Sequence, residues 1–474
     1  MAYPHERALS ATSIEDEFEE ADLGDARRTR RLQQIAGQCA ANPSASFPKA
    51  TRTAAALEGT YRFLNNAAVT AQAVLEPHQE CTRARAEQVN GVILVVHDTT
   101  VCTFGGDAAR EGLGPILSKS GTRGLFAHVA LAVLPGEQRL PLGIGALSTF
   151  VRSSEHRGKR STKSLRADPD NESRRWIELV EMSADHLGDE VECIHVMDRE
   201  ADAFPLLAEL ASKGHRFVIR ATYDRALTER LQETRGHLRI SDEMSAAEIV
   251  LTREVPISKR RKAHSAQARR IHPAREHRVA KLEVRAKVLE LNDVASRGKC
   301  KLRLGVVDVL ETDAPDGISP VHWTLLTNEP IDSPEQVARV IDAYRSRWTI
   351  EELFRALKSG CSFERRQLES RHALEVALAI FLPIAWRLLL MRSLSRCEST
   401  EPATVALTPS QVAILALRLR RPNAVLTITE AVAAIAQLGG HLKRNGPPGW
   451  TVLGRGFDDL LLIELGWLAR EQQL

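Results

Sequence analysis

Along the first 70 residues, apolar positions recur at helical spacing. In residues 24–40 (GDARRTRRLQQIAGQCA), Leu32, Ile35 and Cys39 fall on one face, and Asp25 precedes the run as an N-cap. Residues 53–66 (TAAALEGTYRFLNN) predict a second helix after a loop rich in Pro and Ser. From about residue 91 the period changes. GVILVVHDTT is a β-branched apolar run ending in polar residues, which predicts a buried strand closing at Asp98. FAHVALAVLP and LPLGIGALSTFV predict two more strands, residues 172–187 a helix, and VECIHVMD another buried strand closing at Asp198. AFPLLAELASKG then predicts a helix ending at Gly214, and HRFVIRAT a strand. Strands mixed with helices in this order indicate an α/β or α+β layered domain.

Residues 237–330 are dominated by strand-like runs: AKLEVRAKVLEL, KLRLGVVDVLE and VHWTLLTNE. Residues 333–358 predict one long helix, with Ser333 as N-cap, Gln336 completing a capping box, and Gly360 just past the end. Most of residues 371–474 is helical by pattern, with breaks at HLKRNGPPGW. Within it, residues 374–391 are apolar over about the length that spans a bilayer. Glu375, Arg387 and Pro383 argue instead for a buried helix, so no membrane partner is expected. The start, MAYPHERALS, has no apolar stretch of the kind a secretory signal needs.

Composition adds little to this picture. At 474 residues, with 43% hydrophobic and 26% charged residues, the chain has the make-up of an ordinary globular protein of two or three domains. Seven cysteines carry no Cys-x-x-Cys pair, which argues against a zinc site or disulfide framework and for reduced thiols in a cytoplasmic protein. The net charge of +3 says little about a nucleic-acid partner, but the local distribution says more. Arg27, Arg28, Arg30 and Arg31 crowd the first turns of a helix, where the dipole favours anions; phosphate would relieve them. Residues 258–278 carry many basic side chains, among them Lys259, Arg260, Arg261 and Lys262, against the single acid Glu276. Such a run repels itself unless a polyanion screens it.

Three carboxylates carry the candidate chemistry. Asp98 and Asp198 close two similar strands, where open α/β sheets place their sites, and Glu351 lies on the long helix. Two-metal cleavage of a phosphodiester needs hard oxygen ligands, which carboxylates supply to magnesium. Tyr344, Arg347, Glu351 and Lys358 are spaced by three, four and seven residues, which keeps them on one helix face; Trp348 and Phe354 are offset and free to pack.

The string YRSRWTIEELFRALKSG resembles the Tyr-x2-Arg-x3-Glu-x6-Lys signature of bacterial insertion-sequence DDE transposases (insertion-sequence family four, Tn-five type). VVHDTT and MDREADAFPLL resemble that family's segments around its two catalytic aspartates. The resemblance continues at LGDARRTRRL, EGTYRFLNN, HWTLLTNEP and GPPGWTVLGRGFDDL, so it covers nearly the whole chain.

The resemblance implies an α/β fold with a ribonuclease-H-like (retroviral-integrase-like) catalytic core. It divides the chain into a helical DNA-binding domain (1–70), a catalytic domain (71–370) with a β-rich insertion at about 237–330, and a helical C-terminal dimerisation domain (371–474). It makes Asp98, Asp198 and Glu351 the ligands of two Mg2+ ions, with Mn2+ a substitute. Tyr344, Arg347 and Lys358 match residues that hold phosphates near the cut, and Arg220 a basic residue of the active site. Trp323 matches an aromatic thought to stack on a flipped base, and Arg30 and Arg62 match positions in the DNA-binding region. Where relatives often carry a second Lys, this chain has Arg355, a planar guanidinium rather than an ammonium. The implied partners are double-stranded DNA (transposon ends and target) and a second copy of the chain, and the implied location is the cytoplasm, on the nucleoid when bound to DNA. A non-catalytic end-binding protein and a nuclease that cuts without joining are the competing classes.

Overall fold

Asp25 caps the first helix as its place before the apolar run predicts. Its carboxylate accepts from Arg27 N at 2.8 Å, and α1 (Ala26–Ala41) buries Leu32, Ile35 and Cys39. The computed structural model describes residues 14–51, 53–105, 110–116, 122–152, 172–230, 237–257, 274, 276–293, 300–396, 400, 402–405, 407–442 and 448–471. The fold is mixed α/β with helical segments toward both ends, and it forms two compact units: Met1–Cys193 with Ser346–Leu474, and Ile194–Arg345.

In the first unit, α2 (Phe47–Thr51), α3 (Ala54–Leu64) and α4 (Ala71–Glu87) follow α1. Three strands then pair antiparallel: β1 (Ile93–Thr103) with β3 (Arg123–Val133), and β3 with β4 (Pro141–Phe150). The short β2 (Gly114–Pro115) pairs with the start of β3. α5 (Glu172–Leu187) follows. The apolar stretch near residue 380 is the helix α10 (Arg371–Arg396); it is long and apolar enough to cross a membrane, but 89% of its most apolar window is buried inside the protein. Its Trp386 donates Nε1–H to Pro141 O at 2.9 Å, which ties it to β4. α11 (Pro409–Arg418), α12 (Ile428–Leu438) and α13 (Trp450–Glu471) complete this unit.

A buried ion network joins its layers. Glu17, in a short turn before α1, accepts from Arg85 at 2.7 and 3.1 Å and from His78 Nδ1 at 2.5 Å. Arg85 also donates Nε–H to Leu142 O at 2.7 Å and lies over the Trp386 ring at 4.4 Å. Ile144 N donates to His78 Nε2 at 3.1 Å, so His78 carries its proton on Nδ1, toward Glu17. Burial alone would raise the Glu17 carboxyl, but His78 and Arg85 prevail and bring it down to about 2.

In the second unit, β5 (Cys193–Met197) and β6 (Arg216–Arg220) are parallel, and α6 (Phe204–Ser212) lies between them in the chain. β6 pairs antiparallel with β12 (His322–Thr327), β12 with β11 (Lys301–Glu311), and β11 with β10 (Arg278–Asn292). β10 also carries β9 (Ile249–Ile257) and meets β7 (Ala226–Arg230), which pairs with β8 (His237–Arg239) ahead of α7 (Ile240–Ala246). The strand-rich expectation for residues 237–330 therefore holds. On β10, Ala280, Leu282 and Val284 are buried while Val279 and Lys281 are exposed, the alternation of a half-covered sheet.

Two more of the buried histidines, one in each unit, are held neutral. His128 on β3 packs against the Trp176 ring at 4.4 Å, and His195 on β5 against His215 at 5.5 Å. Burial pushes both down to about 3, helped by Arg175 at His128 and by His215 at His195. The unfolded chain takes up these protons near pH 6.5 and the folded chain does not. Their contribution is thus complete above pH 6.5 and is lost as pH falls toward about 3, at about 1.4 kcal/mol per pH unit for each histidine. The melting temperature is expected to fall between pH 6.5 and 4.5, and less steeply in a His128→Phe variant. A fall of equal steepness in that variant, followed by thermal unfolding, would remove His128 from the account.

Candidate active site

The sequence places Asp98 at the end of a strand, but β1 runs on to Thr103, and Asp98 sits mid-strand opposite Val129 of β3. The reason is in the pairing: HDTTVCT keeps an alternating register against the apolar β3, with Thr100 and Cys102 turned inward. Asp98 lies on the same face as Thr100 and Cys102 but is only half-buried, and its Oδ1 accepts from Thr99 N at 2.8 Å.

The single helix expected at residues 333–358 divides. The capping box forms, with Gln336 N donating to Ser333 Oγ at 3.3 Å and Ser333 N to Gln336 Oε1 at 3.0 Å. α8 (Pro334–Ser346) then stops, α9 (Trp348–Arg355) starts beyond Arg347, and Ala356–Gly360 forms a π turn closed by Cys361 N on Ala356 O at 2.8 Å. Gly360 ends this turn, and a Cβ there would lie 3.2 Å from Leu388 Cδ1 of α10.

Arg347 and Glu351 stay together: Arg347 donates to Glu351 Oε1 at 2.5 Å and to Asp98 Oδ2 at 3.0 Å, so one guanidinium joins two carboxylates. Lys358 lies in the π turn, where the wider coil shifts the phase, and its Nζ donates to Val101 O at 2.5 Å. Glu364, which nothing in the sequence singles out, accepts from Thr103 N at 2.8 Å and Thr103 Oγ1 at 3.0 Å and lies 4.0 Å from Lys358 Nζ. Arg347, Lys358 and Glu364 thus engage Asp98, Val101 and Thr103 in order along β1. Trp348 is 44% exposed rather than packed, and the exposed Arg355 lies 5.8 Å from its ring; Phe354 is buried.

In the second unit Asp198 directly follows β5, as its strand predicts. Its Oδ1 accepts from Glu200 N at 2.8 Å and caps the turn Arg199–Ala201. Arg220 ends β6 and donates to His322 O at 2.8 Å. His322 itself bonds Asp308 at 2.9 Å; that bond holds its ring above the ordinary histidine value, against burial and the nearby Arg220 and Arg199. Trp323, half-buried on β12, meets the Tyr344 ring edge-on at 5.6 Å. Tyr344 is only 6% exposed, so its ring is a packing element as well as a candidate phosphate contact.

The candidate DNA-contacting residues of the first unit are at the surface. Arg27 is exposed and paired with Asp25 at 3.0 Å, Arg30 is exposed and reaches Ala26 O at 3.4 Å, and Arg62 is exposed and paired with Glu58. Lys259, Arg260, Arg261 and Lys262 lie outside the described residues.

Asp98 and Glu351 in the first unit, and Asp198 in the second, are each partly exposed carboxylates, a ligand type that suits Mg2+ or Mn2+ and not soft metals. Among the described residues no three His, Cys, Asp or Glu side chains form a ready ligand cluster. The positive charge between Asp98 and Glu351 comes from Arg347.

Residues 10–69 match the family model described as Transposase DNA-binding, and residues 165–384 match the one described as Transposase DDE domain. The first match contains Arg27, Arg30 and Arg62; the second contains Asp198, Arg220, Trp323, Tyr344, Arg347, Glu351 and Lys358. Asp98 lies between the two.

Proposed function

We propose that this chain, which carries the DNA-binding and DDE domains of a transposase, moves an insertion sequence by cut-and-paste, as a family-four enzyme of the Tn-five type. The observation that carries the reading is the Asp98–Arg347–Glu351 bridge: two carboxylates 253 residues apart in the chain, held by a single guanidinium on the signature helix. The core is read as ribonuclease-H-like, on the antiparallel β1, β3 and β4 followed by the parallel β5 and β6.

Asp98, Asp198 and Glu351 would hold two Mg2+ ions, which when bound stabilise the attacking and leaving oxygens of an in-line displacement. Arg347 keeps Asp98 and Glu351 oriented and screens their mutual repulsion. Arg220, Lys358 and Arg355 supply charge to the phosphates around the cut, and Trp323 offers a stacking face for an extruded base, worth about 1–3 kcal/mol. Arg27, Arg30 and Arg62, with Lys259–Lys262, contact the duplex backbone and make binding salt-dependent. Water cleaves one strand at the element end, the freed 3′ hydroxyl attacks the other strand to leave a hairpin, and after hairpin opening the 3′ ends attack target DNA. Each step is a phosphoryl transfer on one set of residues, with no covalent protein intermediate. Two ends must be held together, so the working form is a homodimer joined through the C-terminal helices, acting on the nucleoid in the cytoplasm.

The test is a plasmid carrying the native element ends. In Mg2+ the protein is expected to release the linear element and join it to a second plasmid. Chelation with EDTA stops both steps, and Mn2+ restores them. Cleavage with no joined product would make it a nuclease, and end binding with no cleavage a DNA-binding protein.

A further inference from the structure

The turn that carries Asp198 is held from behind by a buried carboxylate. Asp202 is 3% exposed and accepts from Thr222 N at 2.6 Å, Tyr223 N at 3.0 Å and Arg225 Nε at 3.2 Å, with a second bond from the same guanidinium. Arg225 also donates to Asp202 O at 2.9 Å, and the Thr222 hydroxyl donates to Arg199 O at 2.9 Å. Asp202 N in turn donates to Arg199 O at 3.2 Å. These bonds join the loop after β5 to the loop after β6, and both loops carry candidate site residues at their start, Asp198 and Arg220.

The carboxylate of Asp198 is oriented by its own turn, through Glu200 N, and that turn is anchored by the Asp202 clamp. A buried ion pair is a poor device for stability alone, because an apolar pair of similar volume does as well. It is a good device for fixing two loops in one register, because its donors come from both. We infer that Asp202 and Arg225 are positioning residues: they set the Asp198 carboxylate, and with it the Arg220 strand end, for a divalent cation and the scissile phosphate. The inference rests on the reading of Asp198 as a metal ligand.

The experiment uses the full chain bound to an end-sequence duplex. Mn2+ affinity is read by calorimetry, and the Mg2+ dependence of cleavage is followed alongside. For Asp202→Asn, end binding is expected within about twofold of wild type, while the Mn2+ Kd and the half-saturating Mg2+ both rise about 10–100-fold, the usual cost of losing a partner behind a metal ligand. Excess Mg2+ should recover most of the rate, which a loss of folded protein would not allow. If Asp202→Asn does not fold, Thr222→Val removes only the hydroxyl bond to Arg199 and is expected to shift the same two readings in the same direction by a few-fold. Unchanged Mn2+ affinity beside a lowered melting temperature would overturn the inference and leave the clamp a structural feature. A wild type that neither binds Mn2+ nor cleaves would instead remove the transposase reading, and the inference with it.

Discussion

Asp198→Ala is expected to lower cleavage of the element ends by about 10³-fold or more, equivalent to about 4 kcal/mol in the barrier, with end binding nearly unchanged. The side chain caps the exposed N–H of Glu200, so its loss costs about 1 kcal/mol of local stability and leaves the fold intact. Asp198→Asn separates the two roles: the amide oxygen still accepts from Glu200 N, but the charge is gone. It should therefore melt like wild type and cleave like the alanine variant. Glu351→Gln should lose cleavage to a similar extent, since the neutral amide is a poor ligand for magnesium and a weaker partner for Arg347. Arg347→Lys keeps one positive charge but cannot reach two carboxylates with a planar fork, so an intermediate loss is expected. The readout is product formation on the end-bearing plasmid beside a gel-shift of the same protein. Wild-type cleavage by both Asp198→Ala and Glu351→Gln would show that the carboxylates have been misassigned.

Elements that depend on local pattern were legible in the sequence. The strand before Asp198, the buried helix around Pro383 and the caps at Asp25 and Ser333 are set by a few neighbouring residues, and each stands where its pattern places it. Elements decided by a distant partner were not legible. β1 extends past Asp98 because β3 pairs with it, and a polar stretch alone gives no sign of that. The signature helix breaks at Arg347 and widens after Arg355; the second change moves Lys358 onto a strand carbonyl 257 residues away in the chain. Glu364 meets Thr103 across 261 residues, and Asp202 meets its donors across loops about 20 residues apart. The Tyr344 ring is buried against Trp323, a contact made across 21 residues that helical spacing does not foretell. The residue types of the site could be read from the sequence, but the support behind them is tertiary.

Arg85→Met is expected to destabilise the first unit by about 3–5 kcal/mol, because it leaves the Glu17 carboxylate buried without its permanently charged partner. Three groups meet there, and His78 cannot replace the arginine: its Nε2 accepts from Ile144 N, and burial holds it below the ordinary histidine value despite Glu17 beside it. The pH dependence gives the sign. In wild type the Glu17 carboxyl lies below its ordinary value, so its contribution is complete above pH 4.5 and is lost as pH falls toward about 2. Without Arg85 the carboxyl moves up from about 2, so the variant's deficit should be largest near pH 7 and shrink as acid neutralises Glu17. Urea unfolding of the full chain at pH 7 and pH 4, followed by circular dichroism, measures both. The double variant Glu17→Gln with Arg85→Met removes the orphaned charge and should regain much of the loss, since the pair contributes less than either partner costs when stranded. A double variant as unstable as Arg85→Met alone would place the effect in the packing of Arg85 over Trp386 and its bond to Leu142, and not in the charge of Glu17.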